Sequence, residues 1–180
     1  MSRLHTIAPA DATGPAASLF GAIKNAIGMV PNAYATVGSN SAVALKAALG
    51  LDAALRESSL SAREIEVIKL AVSATVGCDY CVAAHVLMGK KAGLSRESLR
   101  TIRSGDASDN EADDALAHFA RVLVSTTGTV PAAELDAVKA AGYTDAQVVD
   151  TMLAIASITF TNLVNRVNDT VVDFPAPEPL

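Results

Sequence analysis

The sequence predicts an all-α fold, and three observations carry that expectation. Helix starts and stops recur along the chain, strand signals are weak throughout, and alanine is abundant while aromatics make up only 4% and tryptophan is absent. With 180 residues, 51% of them hydrophobic, the chain has ample material for one core. Such a core must come from closely approaching helices with small side chains, and the apolar excess points to surface buried between subunits. We expect a single domain over residues 1–174. The last six residues, 175–180, hold three prolines and are expected to form a mobile tail.

About seven or eight helices are expected. The first runs from about Pro15 to Ile27 and stops at Gly28, before a turn at Met29-Val30-Pro31-Asn32. A second runs from about Ser41 to Arg56. Ser61 with Glu64 three residues later forms a capping box that opens an apolar helix carrying Glu66. After Gly77 the next helix spans about Cys78 to Ala92, with Lys90 and Lys91 in its last turn and Gly93 as its stop. A short helix follows from Ser95 to Gly105, then a polar loop at Asp106 to Asn110, then a helix from Glu111 to about Ser125 with an acidic start. Pro131 fits the first turn of a helix ending at Gly142. Thr144 with Gln147 forms a second capping box, opening a long helix to about Val167. Its apolar part, Val148 to Val164, is interrupted by Asp150, Thr151, Ser157, Thr159, Thr161 and Asn162, so it reads as a buried core helix and not as a membrane span.

Composition removes several functions. A net charge of −5 with no Lys/Arg run lacks the electrostatic footprint of nucleic-acid binding. Met1 to Pro15 has no continuous apolar segment, which reads as neither a secretory signal nor a transit peptide and gives a cytoplasmic expectation. Two cysteines three positions apart exclude a stapled extracellular scaffold.

Those cysteines carry the chemistry. Gly77-Cys78-Asp79-Tyr80-Cys81-Val82-Ala83-Ala84-His85 is a Cys-x-x-Cys followed by three residues and a histidine. On a helix, positions three apart have Cα atoms roughly 5 Å apart, inside the range a disulfide accepts. Cys78, Cys81 and His85 fall within an arc of about 60°, so all three face one site. A bond closing so short a loop removes little entropy from the unfolded chain, which favours reversible redox chemistry over stapling. The attacking species is the thiolate; lowering a thiol pKa from about 8.5 to about 7 raises its population at neutral pH about tenfold. A helix N-terminus contributes less than one unit of that, and His85 is spaced to supply the rest as imidazolium or base. A carboxylate beside a thiol raises its pKa, so Glu66 must act by relaying a proton; the same residue also reads as an ordinary helix-surface glutamate.

These residues resemble the AhpD-like alkylhydroperoxidases of the carboxymuconolactone decarboxylase superfamily. The likeness runs through Arg63-Glu64-Ile65-Glu66, Leu70 to Ala74, Gly77 to His85 and Ala92-Gly93-Leu94-Ser95. Gly28 to Asn32 and Thr161-Asn162-Leu163-Val164-Asn165 are similar to its peroxidase-related branch, so the resemblance covers most of the chain. It implies an all-α protein that assembles into homo-trimers or homo-hexamers, and we expect it to reduce organic hydroperoxides or to act as a disulfide reductase. By resemblance Cys81 is the nucleophile that becomes a sulfenic acid, Cys78 resolves it as a disulfide, and Glu66 with His85 forms the proton relay. No cofactor is implied, and the electron donor is a dithiol such as a lipoyl-bearing protein. The best-known members have histidine before the second cysteine, where this chain has Tyr80.

Rival readings are a zinc site on the two cysteines, His85 and Glu66, a pair of inert buried thiols, a redox-sensing module, and a decarboxylase that has no need of the cysteine pair. His118, between Asp114 and Arg121 one turn away on either side, reads as solvent-facing, and His5 as part of a mobile end. Asn162, Asn165, Arg166 and Asp169 recur at helical spacing and read either as pocket or subunit-contact residues or as a solvated polar face. Tyr80 reads as aromatic packing beside the helix start, with a hydrogen bond donated near the thiols as the alternative.

Overall fold

The computed structural model describes residues 2–108 and 110–180. Met1 and Asp109, the latter inside the loop expected at Asp106 to Asn110, lie outside the described residues. Nine α-helices and no strand occur among the described residues: α1 Gly14–Ile27, α2 Asn32–Asn40, α3 Ala42–Arg56, α4 Ala62–Thr75, α5 Asp79–Lys91, α6 Arg96–Ser104, α7 Glu111–Thr126, α8 Ala132–Ala140 and α9 Asp145–Asn168. A single 3₁₀ turn at Pro9–Asp11 precedes them.

The centre of the fold is α4. It packs against α5, α6, α7 and α9, and Val67, Ile68, Leu70, Ala71 and Val72 are wholly inaccessible. The expected capping box starts it: Ser61 Oγ accepts the Glu64 N–H at 3.2 Å and Glu64 Oε2 accepts the Ser61 N–H at 2.7 Å. The reciprocal box at Thr144 and Gln147 starts α9 in the same way, at 3.2 and 3.1 Å. A second, smaller core of Phe20, Ile23, Val37 and Leu45 joins α1, α2 and α3.

Three sequence expectations need correction. The turn at Met29 to Asn32 leads directly into α2, a helix that pattern reading passes over because its N-cap, Pro31, makes no side-chain hydrogen bond. Its stability comes from burial of Ala33, Ala35, Thr36 and Val37 against its neighbours. The long helix α9 is not a fully buried core helix. Its most apolar window has a mean hydropathy of 1.3 yet is only 33% buried. By length and composition alone α9 could cross a membrane, but its inner face carries Thr151, Ser157, Asn162 and Asn165, while Val149, Met152, Leu163 and Val167 face outward. The segment bearing His5 is tied down as well: Arg3 and Leu4 donate backbone N–H to Asn168 Oδ1, and the His5 carbonyl accepts from Asn40 Nδ2 at 2.7 Å. At the other end, Glu178 pairs with Arg96 and its carbonyl accepts from Arg103.

Candidate active site

The chain enters α5 through Gly77, whose φ of 68° is a left-handed conformation that a side chain disfavours. Cys78 is the N-cap, and its Sγ accepts the Cys81 N–H at 3.4 Å. The sulfur therefore stands where the unpaired N–H groups and positive end of the helix dipole stabilise negative charge. Cys78 and Cys81 are joined as a disulfide with Cα atoms 5.3 Å apart, in line with the separation expected from helical spacing.

One turn beyond Cys81, His85 Nδ1 lies 2.7 Å from Glu66 Oε2. An ionised carboxylate only accepts, so in this bond Nδ1–H donates and Nε2 is the ring nitrogen left for another partner. The two cysteines, His85 and Glu66 are all buried, none more than 8% exposed. Of the two readings of Glu66, the ordinary surface residue is therefore excluded.

Glu66 belongs to a polar stripe within the otherwise apolar buried stretch of α4, Ile65 to Ser73. Glu66, Lys69 and Ser73 lie at i, i+3 and i+7 of α4, all buried, and each meets a different helix. Glu66 meets His85 on α5. Lys69 Nζ donates to Asp52 Oδ1 on α3 at 2.7 Å, and Asp52 also accepts from Ser157 on α9 at 2.8 Å and from Tyr34 on α2 at 3.0 Å. Burial pushes the Asp52 carboxyl up, but the Lys69 ammonium and these three donors outweigh it and hold the group below the usual range. Burial and the Asp52 charge push the Tyr34 phenol well up, keeping it a donor. Ser73 Oγ donates to Asn162 Oδ1 on α9 at 3.2 Å.

The C-terminal half of α9 faces the sulfurs. Asn165 Nδ2 donates to Cys81 Sγ at 3.3 Å. Of the polar positions singled out on this helix, Asn162 and Asn165 are buried, the first against Ser73 and the second against Cys81, whereas Arg166 and Asp169 are exposed. The solvated-face reading thus fails for the asparagines and holds for the other two. The sequence signal that separates them is their three-residue spacing in phase with the buried Ser157 and Ile158.

Tyr80 packs edge-on against Phe174 with ring centroids 5.4 Å apart, as aromatic packing predicts, but its hydroxyl has specific partners. It donates to Asp173 Oδ1 at 2.7 Å and accepts the Ala33 N–H at 3.1 Å. Burial and the Asp173 carboxylate keep the phenol protonated. Tyr80 thus fastens the C-terminal segment and α2 to the start of α5. His118 is exposed and meets Glu134 at 3.0 Å, not Asp114 or Arg121. Among the described residues, no three His, Cys, Asp or Glu side chains gather as a metal-binding group. A cavity of about 380 Å³ lies toward the far end of α5, lined by Lys90, Arg96, Arg100 and Arg103 among others, and the cysteines do not line it.

Residues 42–124, which run from α3 into α7 and include Glu66, Cys78, Cys81 and His85, match the model of the carboxymuconolactone decarboxylase family. Among solved structures the chain is similar to an alkylhydroperoxidase AhpD core, an uncharacterized peroxidase-related protein from Ralstonia eutropha JMP134. The two share 21% identity and a TM-score of 0.83, over 96% of this chain and 92% of that one. It is also similar to the debrominase Bmp8, crystallised in complex with 2,3,4-tribromopyrrole, at 19% identity and a TM-score of 0.80 over 96% and 92% of the two chains. An uncharacterized peroxidase-related protein from Silicibacter sp. TM1040 aligns at 20% identity and a TM-score of 0.76, over 95% and 94%. No curated protein sequence matches significantly. Residues 42–124 thus match the carboxymuconolactone decarboxylase family model, and the chain as a whole shares the all-helical architecture of the AhpD core structure.

Proposed function

We propose that this protein is a thiol-dependent hydroperoxide reductase in which Cys81 attacks, Cys78 resolves, and the His85–Glu66 pair moves the proton. The observation that carries this reading is the disulfide-bonded pair at the mouth of α5, one turn from a buried histidine that is itself oriented by a carboxylate. The Cys81 thiol gives its proton to His85, whose imidazolium Glu66 stabilises. The thiolate attacks the terminal oxygen of the hydroperoxide; an S–O bond forms, the O–O bond breaks, and the departing alkoxide takes the proton back from His85. The Cys78 thiol then displaces hydroxyl from the Cys81 sulfenic acid, forming the disulfide and releasing water. A dithiol reductant, with a lipoyl-bearing protein as the expected class, returns two electrons and two protons. Hydrogen bonding at the N-cap helps Cys78 leave as thiolate in that exchange.

The outward apolar side of α9, with Val149, Met152, Leu163 and Val167, supports assembly into a homo-oligomer, and we carry forward the trimer or hexamer as its form. We likewise carry forward a cytoplasmic location, where reducing conditions recycle the pair.

The test is loss of free thiols under stoichiometric organic hydroperoxide, followed by turnover with dihydrolipoamide, thioredoxin and glutathione offered separately. Cys81→Ser abolishes turnover, whereas Cys78→Ser permits one oxidation without recycling. Folded wild-type protein that keeps both thiols refutes the peroxidase. The debrominase of like fold names the rival use of the same thiols, and bromide release from a bromopyrrole without peroxide turnover favours it. Decarboxylation that survives double Cys→Ser replacement favours the lactone enzyme.

A further inference from the structure

On the face of α9 from which Asn165 reaches Cys81, two buried polar atoms have no partner: Asn162 Nδ2 and Asn165 Oδ1. Both side chains are almost wholly enclosed, at 3% and 4% exposure. Reversing either amide does not cure this. The Cys81 sulfur in a disulfide has no proton to give, so Asn165 must turn its NH₂ toward it, leaving Oδ1 free. Asn162 has only Ser73 Oγ at hand, so one of its two amide atoms stays unpaired in either orientation. Native proteins leave few buried polar groups unsatisfied, and each that remains calls for an explanation, such as strain, a catalytic role, or a bound water or ion.

The two orphans are complementary. One is a donor and the other an acceptor, on residues three apart along α9, whose Cβ atoms are about 5–6 Å apart on one helix face. A single hydroxyl can accept from Asn162 Nδ2 while donating to Asn165 Oδ1, with two bonds of about 2.8 Å. Asn165 holds the sulfur through Nδ2 and the hydroxyl through Oδ1, so one planar amide brings the two reacting groups side by side.

We propose that Asn162 and Asn165 form a seat for the terminal O–H of a hydroperoxide, presenting that oxygen to Cys81. The proposal rests on the peroxidase reading above and says by which group its substrate is recognised. The site takes hydroperoxides with a free O–H, and it does not recognise disulfides or dialkyl peroxides, which cannot donate to Asn165 Oδ1. As the thiolate attacks, the seat holds the oxygen that stays on sulfur as the sulfenic hydroxyl, while the alkoxide departs on the opposite side.

Asn162→Leu tests it, with Asn162→Ala alongside so that overpacking is not the only result possible. Cys81 oxidation by tert-butyl hydroperoxide and its alkylation by iodoacetamide, which needs no hydroxyl seat, are measured on reduced protein. The seat requires a fall of about ten- to hundredfold in the peroxide rate. Alkylation stays within about twofold of wild type, and Tm shifts little, because the unsatisfied Asn162 donor and the partner of the Ser73 hydroxyl are removed together. An unchanged peroxide rate in a folded variant overturns the seat alone. Equal losses in both reactions, with a lower Tm, also overturn it and make Asn162 a packing residue. If wild-type protein consumes iodoacetamide but no hydroperoxide, the peroxidase reading itself fails and the seat with it.

Discussion

Asn165 offers the sharpest test of what makes Cys81 reactive, because its amide gives the Cys81 sulfur a hydrogen bond, at 3.3 Å. A hydrogen bond to a charged acceptor contributes about 1.5–3 kcal/mol, and sulfur at this distance belongs at the lower end. Each ~1.4 kcal/mol is one pKa unit, so removing the donor raises the Cys81 pKa by about one unit. At any pH well below the midpoint, a shift of one unit lowers the thiolate population about tenfold. Asn165→Ala in a Cys78→Ser background isolates that single titration, read as the pH dependence of iodoacetamide alkylation. The midpoint moves up by about one unit while the plateau at high pH stays in place. Asn165→Asp moves it further, since a carboxylate beside the sulfur repels the thiolate. A midpoint that does not move, or a rate lowered by the same factor at every pH, refutes the role of this hydrogen bond in ionising Cys81.

Two further predictions concern stability. Asp52 has a folded pKa below its ordinary value of 3.8, so its contribution is fully present above that value and is lost as pH falls through the lower folded one. Urea unfolding should show this acid-side loss. Asp52→Asn flattens it and costs about 2–4 kcal/mol at neutral pH by leaving the buried Lys69 ammonium unpaired; equal acid slopes in both proteins contradict the assignment. A Cβ at Gly38 would stand 2.4 Å from Phe20 Cε1 and 2.8 Å from Leu45 Cδ2, whereas one at Gly50 meets nothing within 4 Å. Gly38→Ala therefore destabilises by about 1–3 kcal/mol despite better helix propensity, and Gly50→Ala stabilises by up to about 1 kcal/mol. The same sign of ΔTm in both contradicts the packing of α1 against α2.

What was legible in the chain divides along a physical line. Caps are local chemistry, so Ser61, Thr144, Gly28 and Gly93 mark helix ends without any knowledge of the fold. The Cys78, Cys81, His85 face is also local, because it lies on one helix and follows from a 3.6-residue period. Burial is not local. Asn32 to Asn40 has no side-chain N-cap bond and is short, and α2 is held by its packing against α1 and α3. Asn162 and Asn165 have the spacing of a face, but a polar face on an isolated helix reads as solvated until α4 and α5 are seen against it.

The stripe on α4 explains why the site sits where it does. An apolar helix surrounded by others has no preferred rotation from hydrophobicity alone, since every face is equally welcome in the core. Glu66, Lys69 and Ser73 break that degeneracy, because each buried polar group loses free energy unless it meets its own partner, and the partners lie on three different helices. The rotation that satisfies Lys69 at Asp52 and Ser73 at Asn162 is the one that brings Glu66 to His85. Asn162 adjoins Asn165 on the next turn of α9, which reaches Cys81. Stability and reactivity are coupled here through geometry: if the Lys69–Asp52 pair is lost, α4 is free to rotate or shift, and the carboxylate that orients the histidine moves with it.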